Sequence, residues 1–328
     1  MRIWYDACTG KHVRYGSAIA EKLRKNGHEM ILTTRRHPDT LPMIEYLDEE
    51  FLSVGEYDPR SLFTRLKGGL RRQLLLAKIF ERRPLDVAVS HGSVDQCRVA
   101  FGLGKPVIST VDTPYAQAVH RLTLPLTKYI VASKAIPQEI LQQYNIDADM
   151  VSFDGVDEVA WIKKFKPEIT CDFGKPLIVV RQLEEKAAYT NAKVNMLALA
   201  RKLTKLGKVA FLSRYERKKI KNLIIPKGFV DSASLVAQAD LFVGVGGTIT
   251  REAALQGTPA IVVDLFSGQY VNEFLAAKGF PIFRIPASKV MATAKKEISK
   301  KRDVKAKLEK LQNPVDVIAD IVKKLDKN

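Results

Sequence analysis

Only three cysteines occur in 328 residues, Cys8, Cys97 and Cys171, far apart and without a C-x-x-C pair. That spacing supports neither a zinc site nor a disulfide framework, and reduced thiols are expected. No apolar run reaches the roughly 18 residues needed to span a bilayer, and Met1-Arg2-Ile3-Trp4-Tyr5 reads as a strand rather than a leader. The expectation is a cytoplasmic protein, with peripheral contact at the inner membrane face left open. Aromatic residues are 8% of the chain and do not interleave with basic ones, so no stacking platform for nucleic acid is visible. Acidic charge is in deficit: 36 Asp and Glu stand against 53 Lys and Arg, for a net charge of +17. Such an excess favours a polyanionic partner, whether nucleic acid, an anionic membrane face or a phosphorylated substrate. Walker A and G-x-G-x-x-G sequences are also missing, which argues against P-loop phosphoryl transfer and hydride transfer.

What is present is a hydrophobic content of 46% and a length that suits two domains, each with its own core. Short apolar runs alternate with amphipathic stretches, the pattern of parallel sheets with crossover helices. Strands are predicted at Ile3–Ala7, Met30–Thr34, Phe51–Val54, Val87–Ser90, Val107–Thr110, Tyr129–Ala132 and Met150–Phe153. A second series is predicted at Leu177–Arg181, Val209–Ser213, Leu223–Pro226, Leu241–Gly244, Ala260–Asp264 and Ile282–Ile285. The reading is an α/β chain with a first Rossmann-like domain over 1–155, a polar linker over 156–176 and a second domain over 177–328. The second ends in a lysine-rich helical tail whose apolar face, Val315, Ile318, Ile321, Val322 and Leu325, needs a partner in the N-terminal domain.

The richest signal is Gly244-Val245-Gly246-Gly247-Thr248-Ile249-Thr250-Arg251-Glu252, a glycine-rich turn between an apolar strand and a helix that stops at Gly257. Gly246 and Gly247 let backbone amides approach an anion, Thr248 is expected to cap a helix beginning near Ile249, and Glu252 is spaced to accept hydrogen bonds from ribose hydroxyls. The plain alternative is a tight strand-to-helix connection. Arg181 and Arg214 follow predicted strands, where a guanidinium can bind a diphosphate or form a rim ion pair. His12, in the first strand-to-helix turn, has an ordinary pKa near 6.5 that suits a general base; the plain alternative is an imidazole that caps the following helix or bonds a backbone carbonyl. Asp112 is the carboxylate best placed to act as base or orienting group, or else shapes the turn before Pro114. His91 reads more simply as a hydrogen-bonded structural histidine.

With these residues assembled, the chain resembles GT-B type proteins, and most closely an uncharacterised archaeal family, a domain-of-unknown-function family, related to lipid-linked N-acetylglucosaminyltransferases and UDP-N-acetylglucosamine 2-epimerases. Lys227-Gly228-Phe229-Val230-Asp231, Ala239-Asp240-Leu241-Phe242-Val243, Gly246-Gly247-Thr248 through Glu252 and Gly257-Thr258-Pro259 are similar in order and spacing to the transferases' donor site. The resemblance implies base contact near Phe229, diphosphate at Gly246, Gly247 and Thr248, and ribose at Glu252. Thr9-Gly10-Lys11-His12-Val13 resembles the transferases' first turn, and the stretch from Pro84 through His91-Gly92-Ser93 resembles an epimerase signature. That signature has an aspartate where this chain has Ser93 and a glutamate where it has Asp112, a departure that weighs against 2-epimerase chemistry.

The expected function is metal-independent transfer of a sugar from a nucleotide donor, a UDP-sugar by this resemblance, with two Rossmann-like parallel-sheet domains facing a cleft. Catalysis is assigned to His12 or Asp112, and donor binding to Arg181, Arg214, Phe229, Gly246, Gly247, Thr248 and Glu252. Thr9, Gly10, His91 and Ser93 are further candidates on the acceptor side. A lipid-linked acceptor is compatible with the resemblance. The alternatives are a sugar-nucleotide epimerase or hydrolase and a non-catalytic nucleotide-sugar or polyanion binder. Over 59–84, Arg60, Arg65, Lys67, Arg71, Arg72, Lys78, Arg82 and Arg83 interleave with Leu62, Phe63, Leu66, Leu70, Leu74, Ile79 and Phe80. The simpler reading lays this helix's apolar face on the sheet with its basic face solvated; the other lays it on an anionic membrane.

Overall fold

A computed structural model of the chain describes residues 1–167, 172–182, 194–213, 219–265 and 267–327. They form two compact units, Met1–Trp161 with Gln312–Asn328, and Ile162–Leu311. The first is built on strands β1 (Arg2–Ala7), β2 (Glu29–Arg36), β3 (Leu52–Glu56), β4 (Val87–Ser90), β5 (Val107–Val111), β6 (Tyr129–Ser133) and β7 (Asp149–Phe153). They pair in parallel in the order β3-β2-β1-β4-β5-β6-β7. The second unit carries β8 (Leu177–Arg181), β9 (Lys208–Leu212), β10 (Leu241–Gly244), β11 (Ala260–Val263) and β12 (Ile282–Ile285), parallel in the order β12-β11-β10-β8-β9.

Strand order reverses between β1 and β4 in the first sheet and between β8 and β10 in the second. In doubly wound sheets the crevice beyond the carboxyl ends of the strands at such a reversal is where ligands bind. Cys8–His12 and His91–Ser93 follow β1 and β4; Arg181 ends β8, and Val245–Thr248 follow β10. Strands buried on both faces explain the apolar runs: Trp4, Val87, Ala88 and Val89 in one sheet, and Ile178, Val180, Leu241, Val243 and Ile261 in the other, are fully buried.

One predicted strand is absent. Leu223–Pro226 contributes a single bridge, Ile224 against Ala210. Asn222 before it lies at φ 66°, and Pro226 after it has no N–H to donate, so the ladder closes after one residue. The apolar face of the last helix, Pro314–Leu325, buries Val315, Ile318, Ile321 and Val322 within the first unit, and Asp316 accepts Lys22 at 2.7 Å from the helix Gly10–Lys25.

The helix Leu62–Arg82 overturns the simpler sequence reading. Its sheet-facing side consists of Arg72, Leu76 and Phe80, whereas Leu62, Phe63, Leu66, Leu70 and Leu74 are 56% to 79% exposed. The cause is electrostatic. Asp6 lies fully buried at the end of β1, and a buried carboxylate without a partner is strongly unfavourable. Arg72 meets it twice, Nη2 to Oδ1 at 2.5 Å and Nη1 to Oδ2 at 3.0 Å, while Nε donates to the Val54 carbonyl at 2.8 Å and Nη1 also reaches Asp95 at 3.1 Å. That fork fixes the helix rotation and turns most of its leucines outward. Burial alone would raise the Asp6 pKa, but the Arg72 charge and hydrogen bonds from Arg72, Ser93 and Thr33 hold the carboxyl below its ordinary range.

Candidate functional site

The carboxyl edge of the first sheet gathers charged side chains from four strand ends. Lys11 opens the helix after β1, and its Nζ lies 2.5 Å from Asp112 Oδ2 and 2.9 Å from Asp157 Oδ2, with Glu158 Oε1 at 4.0 Å. Asp112 follows β5; Asp157 and Glu158 follow β7. His91, after β4, turns Nε2 toward Asp112 at 3.6 Å and Asp157 at 3.7 Å, and its Nδ1 shares a 2.6 Å hydrogen bond with the Thr110 hydroxyl. A proton on Nε2 suits the two carboxylates it faces. Tyr15 stacks edge-on against His91 at 5.4 Å, its phenol pKa pushed up by burial and then by the charge of Asp157.

His12 packs edge-on to His91 at 4.7 Å between ring centres, and its Nδ1 accepts the Cys8 amide at 3.4 Å. Burial first, then the neighbouring His91 and Lys11, push its pKa well below the usual value. Burial thus favours the neutral imidazole, with Nδ1 engaged by the Cys8 amide. Asp112 keeps 18% of its side chain exposed, against 3% for Asp157 and none for Glu158. It is the acid of this group that a substrate can reach.

The remaining sequence candidates of this unit hold the frame. Thr9 caps the helix Gly10–Lys25, its hydroxyl accepting the His12 amide at 3.3 Å. Gly10 lets the Asp39 carbonyl approach: a side chain there would begin 2.9 Å from that oxygen. Ser93 is buried, accepts the Gln96 amide and donates to Asp6 Oδ2 at 2.6 Å, so it belongs to the Asp6–Arg72 network. Sequence reasoning missed Lys11 as a functional residue, and with it Asp157 and Glu158, which fell in the stretch read as a linker. The signal available was their position just after a strand, the rule already applied to β4 and β5.

Among the described residues, His91, Asp112 and Asp157 have ligand atoms within 4.8 Å of one another, close enough to hold a metal ion. The Lys11 ammonium already contacts both carboxylates, so a cation at this spot competes with it. The one D-x-D triplet of the chain, Asp147-Ala148-Asp149, enters β7 at its amino end, at the far edge from these groups.

The second edge is built from backbone. Gly246 and Gly247 follow β10 at φ 89° and 137°, conformations that favour glycine, and lead into the helix Thr248–Leu255. A Cβ at Gly246 would strike the Gln269 and Asn272 side chains, whereas one at Gly247 would meet nothing within 4 Å. Gly247 thus faces open space at the amino end of a helix, where N–H groups lack intrahelical partners. The cap differs from expectation: the N-cap is Gly247, the helix begins at Thr248, and the Thr248 hydroxyl caps nothing because it already lies inside the first turn. Glu252, one turn on, is buried, and its Oε2 accepts the Ser232 hydroxyl at 2.6 Å. Ser232, missed from sequence, opens the helix Ser232–Gln238 just after the half-exposed Phe229. Arg181 ends β8 half-buried, with its Cβ close to the position a Gly244 side chain would take. Arg214 lies outside the described residues.

The profile of a family described as protein of unknown function (DUF354) matches residues 1–327. An uncharacterized protein of Methanocaldococcus jannaschii is 31% identical over 277 residues, covering 79% of this chain and 80% of that one. Among solved structures, the UDP-GlcNAc 2-epimerase of Neisseria meningitidis, bound to UDP-GlcNAc, superposes with a TM-score of 0.69 at 15% identity over the whole of both chains. Spinosyn forosaminyltransferase SpnP gives 0.65 at 15% identity, covering 99% of each. At such identity the likeness shows the fold, an α/β GT-B type with two parallel sheets.

Proposed function

Since the chain belongs to the DUF354 family and shares its fold with glycosyltransferases and a UDP-GlcNAc 2-epimerase, we propose that it binds a nucleotide-activated sugar and transfers the sugar to an acceptor. The observation that carries this reading is the Gly246–Gly247 turn, two left-handed glycines at the strand-order reversal of the second sheet, open at the start of a helix. Such a turn takes diphosphate oxygens on backbone amides. Phe229 offers a face for the base, Ser232 and Glu252 offer hydroxyl and carboxylate to the ribose, and Arg181 takes up charge developing on the departing diphosphate. UDP is the nucleotide we assign, from the fold shared with the UDP-GlcNAc-bound epimerase.

On the first unit, Asp112 acts as general base. It removes the proton of the acceptor hydroxyl, that oxygen bonds to the anomeric carbon, and the bond from this carbon to the diphosphate breaks with its electron pair leaving on the diphosphate. Lys11 pairs with Asp112 and aims it, and His12 supplies an N–H donor. The test is thermal stabilisation by a panel of nucleotides, since a ligand that binds only the folded state raises the melting temperature. UDP or a UDP-sugar is expected to shift it, and Glu252→Ala to abolish the shift with the fold intact; no shift with any nucleotide would overturn the donor site. Asp112→Asn should retain the shift while transfer drops about 10²–10⁴-fold.

A second reading, a sugar-nucleotide epimerase or hydrolase, is favoured by the grouping of Asp157 and Glu158 with Asp112 around Lys11. Consumption of a UDP-sugar without any acceptor distinguishes it.

A further inference from the structure

None of the side chains from Leu62 to Arg71 is buried; Thr64, Gly68 and Gly69 are half-buried and the rest of this first half of the helix Leu62–Arg82 is exposed. It is nonetheless capped with care. Ser61 Oγ accepts the Thr64 amide at 3.0 Å, and Thr64 Oγ1 accepts the Ser61 amide at 3.0 Å, a reciprocal box that starts the helix without tertiary help. Leu62, Leu66, Leu70 and Leu74 recur every fourth residue, and Phe63 sits beside them. At about 3.6 residues per turn these five side chains cover roughly a third of the helix circumference. Lys67, Arg71, Lys78 and Arg82, all exposed, line the adjoining arc. Water-soluble proteins seldom leave so contiguous an apolar stripe uncovered.

We propose that this helix docks the protein on the surface of an anionic lipid bilayer, its leucine stripe entering the boundary between headgroups and acyl chains and its basic flank pairing with lipid phosphates. The chemistry of this helix surface selects the occupant. An apolar stripe alone would suit a protein groove, and a basic flank alone would suit nucleic acid. A stripe and a cationic arc side by side on one exposed helix match a surface that is apolar a few ångströms below a layer of negative charge. The helix lies on the surface and does not cross: among the described residues no helix is long and apolar enough to span a membrane. The inference goes beyond the proposed transfer reaction and stands whether or not a nucleotide sugar is bound.

The experiment is co-sedimentation of the full chain with vesicles of phosphatidylcholine alone or of phosphatidylcholine and phosphatidylglycerol in equal parts, at low and high salt. The wild type should pellet with anionic vesicles, not with neutral ones, and less at high salt. The triple variant Leu62→Ser, Leu66→Ser, Leu70→Ser should lose binding by about tenfold or more even at low salt. Arg71→Gln with Lys78→Gln and Arg82→Gln should remove the preference for anionic vesicles. All six positions are exposed, so an unchanged melting temperature verifies the fold. No binding to anionic vesicles overturns the proposal, as does full binding by the serine variant, which would reduce the contact to charge alone. A wild-type dimer in sedimentation velocity that dissociates in the serine variant, with no vesicle binding, would instead give the stripe to a second copy. Binding of single-stranded RNA without vesicle association would give the basic flank to nucleic acid.

Discussion

The two strand-order reversals of this protein solve the same problem, holding a polar group at the end of a buried sheet, with opposite materials. The first uses ionised side chains gathered from distant parts of the chain: Lys11 against Asp112 and Asp157, and Arg72 against Asp6. The second uses the backbone of one short segment, with two glycines opening a helix. Side chains can carry protons and change charge, which suits a place where bonds are made. Backbone amides cannot titrate and are fixed by φ and ψ, which suits steady recognition of an anion. The contrast predicts that the first edge responds to charge and pH and the second to conformational strain.

The largest effect should come from Arg72→Met. Removing one member of a buried, bidentate pair leaves Asp6 charged and uncompensated, at an expected loss of about 3–5 kcal/mol in urea unfolding at neutral pH. Because Asp6 has a depressed pKa in the folded state, its contribution is present above the unfolded value of about 3.9 and fades as pH falls through the folded one. In the variant that contribution is gone and acid unfolding should start at higher pH; a loss below about 1 kcal/mol would break the comparison at its root.

Gly246→Ala probes the other material. Forcing a side chain into left-handed backbone against Gln269 and Asn272 should lower stability by about 1–3 kcal/mol and remove any melting shift by UDP. Gly247→Ala keeps the strain without the collision, since its Cβ meets open space. If both variants bind UDP as the wild type does, the turn is only a connection.

A pH effect comes next in size. His12 is held neutral by burial and by the charges of His91 and Lys11, so between its depressed folded pKa and about 6.5 the unfolded chain binds a proton that the folded chain does not. Stability should therefore fall as pH drops below about 6.5, by at most about 1.4 kcal/mol per unit from this residue. The difference between wild type and His12→Gln across that range isolates its share, and parallel curves would mean that His12 titrates normally. The smallest expected change is Thr248→Ala, below about 0.5 kcal/mol, because a true capping threonine is worth about 1 and this hydroxyl caps nothing.

The same contrast explains what could be read in advance. Parallel strands buried on both faces write themselves as apolar runs, so nearly every strand was found to within two residues, and Gly246-Gly247 announces its turn because its residues are adjacent. Lys11 and Asp157 are separated by 146 positions, and nothing local marks them as partners. The rotation of the helix Leu62–Arg82 was misread for a related reason. Periodicity sees a leucine face and assigns it to the core, but the helix answers to the buried charge of Asp6, sixty-six residues from Arg72. Thr248 looked like a cap because the sequence does not reveal that Gly247 adopts the non-helical conformation one residue earlier.

The return of the helix Pro314–Leu325 to the first unit bears on the order of folding. Ile162–Leu311 is contiguous, and all of its internal contacts can form once its last residue has left the ribosome. The unit begun first is the one that must wait, because the helix Gly10–Lys25 meets the helix Pro314–Leu325 only when the final stretch emerges. During synthesis that contact surface is open for the whole time the other unit is being made. A nascent chain stalled after Leu311 should therefore be protease-resistant in its second half and sensitive in its first, the reverse of the order in which the two were made.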